Sequence, residues 1–251
     1  MPSVRERFTS YHDFATADLF EIYGERLKKA VRLEVTTAET GIFVNDGHAK
    51  FTFAPLPAAA QIAPVMGTTA THLDSDGRPD LVLSQKFFQN QRETGRMSGG
   101  LSLVLLRDEN NSFLAITPSR SGIALQGDAR ALASTDLNND RRPDLIFAHN
   151  SAKPRFFLNS SLGKFIQVSL TGSHKNSKAI GARLIFEHAN GAHDARDLTA
   201  GGGYLTQQPS KFFHTSPPNN PLKKITVIWP DGTQSMALIP PGATSFNLRK
   251  P

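Results

Sequence analysis

Cysteine is absent from the 251 residues, which excludes a disulfide framework and thiolate metal sites and leaves the redox compartment open. No apolar run approaches the roughly 18–20 residues of a membrane-spanning helix, so no span is expected. Long basic runs are also missing. The formal net charge is +6, yet Lys and Arg are scattered with no run longer than two. Without a basic helix or interleaved basic and aromatic residues, nucleic acid is not an expected partner. Met1-Pro-Ser-Val-Arg-Glu-Arg has no apolar stretch behind it, so no secretory leader is read there. No Gly-x-Ser-x-Gly elbow occurs, and Gly201-Gly-Gly203 is followed by no Gly-Lys-Ser/Thr, so that stretch reads as a close backbone approach. The eight histidines lack ligand spacing such as His-x-x-x-His and are read as non-ligands, with His72 touching the acidic loop described below.

What is present is turn chemistry. Nineteen glycines and sixteen prolines suit many short strands better than long helices. The length holds one large or two small domains with a proper core. Asp13 to Ala30 places Phe14, Ala17, Phe20, Tyr23 and Leu27 near a 3.6-residue period, which predicts one amphipathic helix that Gly24 could split. From Arg32 the period becomes two. Arg32–Thr36, Gly41–Asn45 and Lys50–Ala54 read as strands, with Asn45-Asp-Gly47 as a hairpin turn. The pattern of apolar run, polar turn and Phe recurs at Leu103 to Phe113 and at Phe156 to Phe165. Gln85 to Gly100 is a long polar insertion, read equally as a binding loop or a plain surface loop. Ile225–Trp229, Pro230-Asp-Gly232 and Gln234–Ile239 predict a hairpin, and Trp229 a core residue.

One stretch is used twice. Thr71-His-Leu-Asp-Ser-Asp-Gly-Arg-Pro-Asp-Leu81 aligns without a gap on Thr135-Asp-Leu-Asn-Asn-Asp-Arg-Arg-Pro-Asp-Leu145, 64 residues later. The second copy sets side-chain oxygens at Asp136, Asn138, Asp140 and Asp144, with the Arg142 carbonyl before the last acid. The first offers Asp74, Asp76 and Asp80 with the Arg78 carbonyl, and His72 where a leading acid would stand. Acids on alternate residues of a short loop can supply the six to eight oxygens, at about 2.3–2.6 Å, that Ca²⁺ takes. The alternative is a solvated turn capped by its own Asp side chains. The spacing is not that of an EF-hand.

The acidic loop before an apolar strand, with Phe157-Leu-Asn159 and Gly163-Lys-Phe165 after it, resembles the FG-GAP/VCBS repeats of integrin-α-like β-propellers. Two positions depart from that family's pattern: His72 replaces its first acid, and Arg141 stands where Gly77 supplies the family's glycine. Asn176…Ala179-Ile-Gly-Ala-Arg183, Ala200-Gly-Gly-Gly-Tyr204 and Trp229-Pro-Asp-Gly232 resemble the ASPIC/UnbV domain, which commonly follows such repeats. Phe212-Phe-His-Thr-Ser-Pro-Pro218 departs from that family's His-Phe-Gly-Leu-Gly-like segment.

The resemblance implies a mainly β chain in three parts: a helical lead-in (1–30), a partial β-propeller of FG-GAP/VCBS blades (31–163), and a small, sandwich-like, all-β ASPIC/UnbV domain (164–251). Two or three blades leave sheet edges uncovered, so further N-terminal blades of the same protein are expected. The function implied is a non-enzymatic, extracytoplasmic module that binds a protein or glycan, with structural Ca²⁺ in its acidic loops. The alternative is an accessory protein or enzyme of a biosynthetic pathway, which would need a convergent pocket of perturbed titratable groups outside those loops.

Overall fold

The computed structural model describes residues 2–251. They form two units, one ending at Ala38 and the other spanning Glu39–Pro251. In the first, short helices run α1 (Pro2–Arg5), α2 (Tyr11–Thr16) and α3 (Leu19–Tyr23), followed by a 3₁₀ turn, Gly24–Lys29. The single helix expected over Asp13–Ala30 is therefore corrected to three pieces. Asp18 is the reason for the first break: it sits in extended backbone and accepts from the Glu21 N–H, while the Glu21 side chain accepts from the Asp18 N–H. That capping box starts a new helix at Leu19. Gly24, at φ 57°, ends it. None of α2, α3 or the 3₁₀ turn has a buried residue. Arg32–Thr36, expected as a strand, joins no sheet.

The second unit is built of strands. β1 (Gly41–Asn45) and β2 (Phe51–Pro55) form the expected hairpin. The Gln61 side chain accepts from the Thr40 N–H and donates to the Thr40 and Leu56 carbonyls, fixing the hairpin's base. An antiparallel meander follows: β3 (Val65–Thr71), β4 (Asp80–Gln85), β5 (Leu103–Arg107) and β6 (Phe113–Ile116). A second meander holds β7 (Ala129–Thr135), β8 (Asp144–His149) and β9 (Ala152–Phe157). The 64-residue offset extends beyond the acidic loop. It carries β3 onto β7 and β4 onto β8, and it carries the bulge at Val65/Gly67 onto the bulge at Ala129/Ala131.

Side-chain alternation explains how these sheets stack. Val82 and Val104 face one way and pack with Leu132, Leu145 and Phe147 of the second meander. Leu83 and Leu105 face the other way and pack with Leu56 and Ala60. Gly67 lets β3 meet β7: a Cβ there would stand 3.2 Å from the Arg130 carbonyl oxygen and 3.2 Å from the Leu132 nitrogen.

The second meander stops at three strands. Phe165, where the third apolar-turn-Phe pattern ends and the expected C-terminal part (164–251) begins, opens β10 (Phe165–Thr171), which belongs to a different sheet. Its register explains why. Ile166, Val168 and Leu170 alternate onto one buried face, and such a face needs another sheet packed against it. It pairs with β13 (Lys211–Thr215) and, in parallel, with β16 (Ser245–Arg249). The facing sheet takes β11 (Arg183–His188), β12 (His193–Asp197), β14 (Leu222–Ile228) and β15 (Gln234–Leu238) in the order β12-β11-β14-β15. β11 begins only at Arg183, because Asn176 hydrogen-bonds to both the N–H and carbonyl of Ile180 and holds a turn before it. Val168, Leu184, Phe186, Ile225, Val227 and Trp229 fill the space between the two sheets. The protein is thus mainly β, in several small sheets, none of them closed.

Candidate functional site

The acidic loops join β3 to β4 and β7 to β8, and each is stapled at its end by its last acid. Asp80 is wholly buried. One carboxylate oxygen accepts from the Leu73 N–H at 2.9 Å, the other from the Arg107 N–H at 3.0 Å. Asp144, also wholly buried, accepts from Leu137 at 2.7 Å and Asn159 at 2.8 Å. In both, the acid ties the head of its loop to the end of the third strand of its sheet.

The repeated arginine works the same way twice. Arg78 Nε donates to the Arg107 carbonyl at 3.1 Å, and its Nη2 pairs with Asp76 at 2.6 Å. Arg142 Nη1 donates to the Asn159 carbonyl at 3.3 Å and lies 3.7 Å from Asp140. The remaining loop oxygens cap turns: Asp74 accepts from Asp76, Asp76 from Arg78, Asp136 from Asp140 and Arg141, Asn138 from Asp140, and Asp140 from Arg142. All nine expected site residues thus lie in two equivalent turns. Arg141 holds φ 71°, the left-handed backbone that Gly77 holds at 88°.

Charge differs between the loops. Burial, with the Asp74 and Asp76 carboxylates nearby, pushes Asp80 up to about 7 against its backbone hydrogen bonds. Burial would raise Asp140 as well, but the Arg142 N–H, the Asn138 amide and the Arg142 charge together bring it below the usual carboxylate value.

Beside the first loop lies a cluster that sequence spacing does not announce. His72, wholly buried at the end of β3, meets Asp194 of β12 and His214 of β13. His72 Nε2 is 3.5 Å from Asp194 Oδ2, and His214 Nδ1 is 3.7 Å from the same oxygen. Among the described residues this is the one group of three histidine or carboxylate side chains whose ligand atoms all lie within 4.8 Å of one another. Arg196 Nη2 stands 3.3 Å from Asp194 Oδ2 and 3.4 Å from His72 Nε2. His214 stacks flat on Phe186, with ring centroids 4.5 Å apart and planes 3° from parallel.

Burial drives both histidines below their usual value, His214 the further, because desolvation penalises the imidazolium; charge on His72 adds to the effect at His214, and the Arg196 charge adds to it at His72. Burial would raise Asp194, yet the close His72 ring and the Arg196 charge hold it down to about 2. Local spacing of histidines could not bring these three side chains together, because they come from segments far apart in the chain. The available signal was the two departures from the family patterns, His72 and the Phe212–Pro218 segment. They meet here, with Thr215 Oγ1 3.1 Å from His72 Nδ1.

Residues 172–251 match the family model described as ASPIC and UnbV. The match covers β11 to β16 and gives the C-terminal domain the family that its glycine and Trp-Pro-Asp-Gly motifs resemble. No characterised protein matches the chain.

Proposed function

We propose that this is a non-enzymatic, extracytoplasmic binding module of FG-GAP/VCBS-type blades and an ASPIC/UnbV domain, whose acidic loops hold Ca²⁺ to fix a surface for a protein or glycan ligand. The observation that supports it is the duplicated clamp, in which Asp80 and Asp144 each tie a loop to the third strand of a stacked meander. Accepting one N–H per oxygen does not exhaust a carboxylate, which has about four lone-pair sites. Asp74, Asp76, Asp80 and the Arg78 carbonyl would serve the first ion. Asp136, Asn138, Asp140, Asp144 and the Arg142 carbonyl would serve the second. The ion's work is structural: binding the folded form alone, it contributes about 2.7 kcal/mol at a hundredfold excess over Kd.

Thermal unfolding tests the reading. Chelator-treated protein receives Ca²⁺ alone, and the melting temperature is expected to rise by several degrees. Asp136→Asn, at a half-buried loop position, should remove part of that rise. An unchanged melting temperature on Ca²⁺ addition would sink the proposal.

A further inference from the structure

The hydrogen-bond network around His72 and His214 fixes where their protons sit. The Asn220 carbonyl, 3.1 Å from His188 Nδ1, can only accept, so neutral His188 carries its proton on Nδ1 and a lone pair on Nε2. That lone pair lies 3.1 Å from His214 Nε2, which must therefore donate. His214 Nδ1 is left with a lone pair, and it has no hydrogen-bond partner although the side chain is 1% exposed. Arg196 faces His72 Nε2 and can only donate; in the tautomer that answers it, His72 keeps its proton on Nδ1, toward Thr215 Oγ1, and a lone pair on Nε2. Asp194 Oδ2 is likewise buried without a hydrogen-bond partner, because its 3.3–3.7 Å neighbours approach as charges rather than as aligned donors. In that tautomer three lone pairs converge with no proton between them.

We propose that His72 Nε2, His214 Nδ1 and Asp194 Oδ2 bind one divalent transition ion of the Zn²⁺ type, which staples the end of β3 to β12 and β13. Ligands at 2.0–2.1 Å in a tetrahedron stand about 3.3–3.4 Å from one another. The two spacings to Asp194 Oδ2, 3.5 and 3.7 Å, need to close by only a few tenths of an ångström, and the two imidazole nitrogens, within 4.8 Å of each other, draw together around the ion. Two imidazoles and one carboxylate suit a borderline ion better than Ca²⁺, which takes oxygens alone. The outer partners a metal-binding histidine requires are already built: Thr215 for His72, and His188 backed by the Asn220 carbonyl for His214. Arg196 supplies positive charge to two of the three groups but does not reach His214 Nδ1. Its side chain is 19% exposed, so it can turn outward and leave the fourth position to water. A groove of about 500 Å³, lined by Asp76, Arg78, His188, His193 and Asp194, leads there.

The test uses the full chain, stripped by chelator and held in excess Ca²⁺ so that the acidic loops are saturated. Titration calorimetry with Zn²⁺ alone is expected to give one tight equivalent, and Co²⁺ should give visible d–d bands of a four- or five-coordinate ion. X-ray absorption of the Zn²⁺ form should show an imidazole shell of two histidines. His214→Gln and Asp194→Asn should abolish the tight equivalent. Thr215→Val should weaken it about 10–100-fold. Arg196→Gln should tighten it by removing a competing cation. No stoichiometric Zn²⁺ in wild type and Arg196→Gln would overturn the site. So would an affinity unchanged in His214→Gln and Asp194→Asn that keep native circular dichroism. If those variants do not fold, the absorption edge decides: a two-imidazole shell supports the site, and its absence overturns it.

Discussion

Gly77 and Arg141 hold the same left-handed backbone position in two loops 64 residues apart, at φ 88° and 71°. Only glycine adopts that region without strain; a side chain costs about 1 kcal/mol there. Arg141→Gly should therefore stabilise the protein by up to about 1 kcal/mol, offset in part by the freer unfolded chain. Gly77→Ala should destabilise it by more than that, since its Cβ would also stand 2.9 Å from Pro217 Cγ. Urea unfolding of the two variants checks both signs.

Arg142 sets a positive charge beside the second acidic loop, 3.7 Å from Asp140. A unit charge about 5 Å from a divalent ion in high dielectric opposes it by roughly 1–2 kcal/mol. Arg142→Gln keeps the backbone carbonyl and should tighten Ca²⁺ several-fold by calorimetry. Affinity that falls instead would mean that the hydrogen bond to the Asn159 carbonyl outweighs the charge.

Gly67 sits where β3 and β7 run closest, with backbone atoms of Arg130 and Leu132 at 3.2 Å from a would-be Cβ. Neither neighbour is a flexible side-chain tip. Gly67→Val should cost about 1–3 kcal/mol, the usual range for overpacking, read as a lowered denaturation midpoint with an unchanged slope.

The Gln208 amide accepts from the Ser134 N–H at 2.9 Å and reaches Thr69 Oγ1 and the Leu132 carbonyl at 3.3 and 3.4 Å. It thereby links both meanders to the C-terminal domain. Gln208→Ala should cost about 1–3 kcal/mol, the penalty for leaving a buried donor unpaired. Gln208→Glu retains the acceptor and should cost less at Ser134. Hydrogen exchange at the Ser134 amide distinguishes the two.

Lys250 and then Thr233 hydrogen-bond Asp231 and bring its carboxyl down to about 2 from the ordinary 3.8. A depressed carboxyl contributes stability that is present above its unfolded value and lost as pH falls through the folded one. The advantage of wild type over Asp231→Asn should thus be present at pH 5 and largely lost as the pH falls to about 2. The pair is exposed, so high salt should shrink it.

Local periodicity carried the β1–β2, β5–β6 and β14–β15 hairpins, because alternation and turn residues are both written within a dozen positions. The acidic loops were legible for the same reason, down to the left-handed position at Arg141. What stayed hidden depends on distant partners. β10 pairs with β13 and β16, which the chain reaches only much later, and no local pattern names those partners. His72, Asp194 and His214 come from three strands, and no spacing rule spans 142 residues (214 − 72). In the lead-in, helical period was right but continuity was not, since the Asp18–Glu21 box outcompetes one more turn of helix.

Phe246 of β16 lies opposite Val168 of β10 in a parallel register, 78 positions downstream. On the ribosome, therefore, the stretch that departs from the second meander emerges long before the neighbour that completes its sheet. Until residues 245–249 follow, it exposes an open, apolar flank to the cell, the kind of surface that chaperones hold and that other nascent chains can pair with. Interruption of synthesis in that window should therefore leave the chain prone to aggregate.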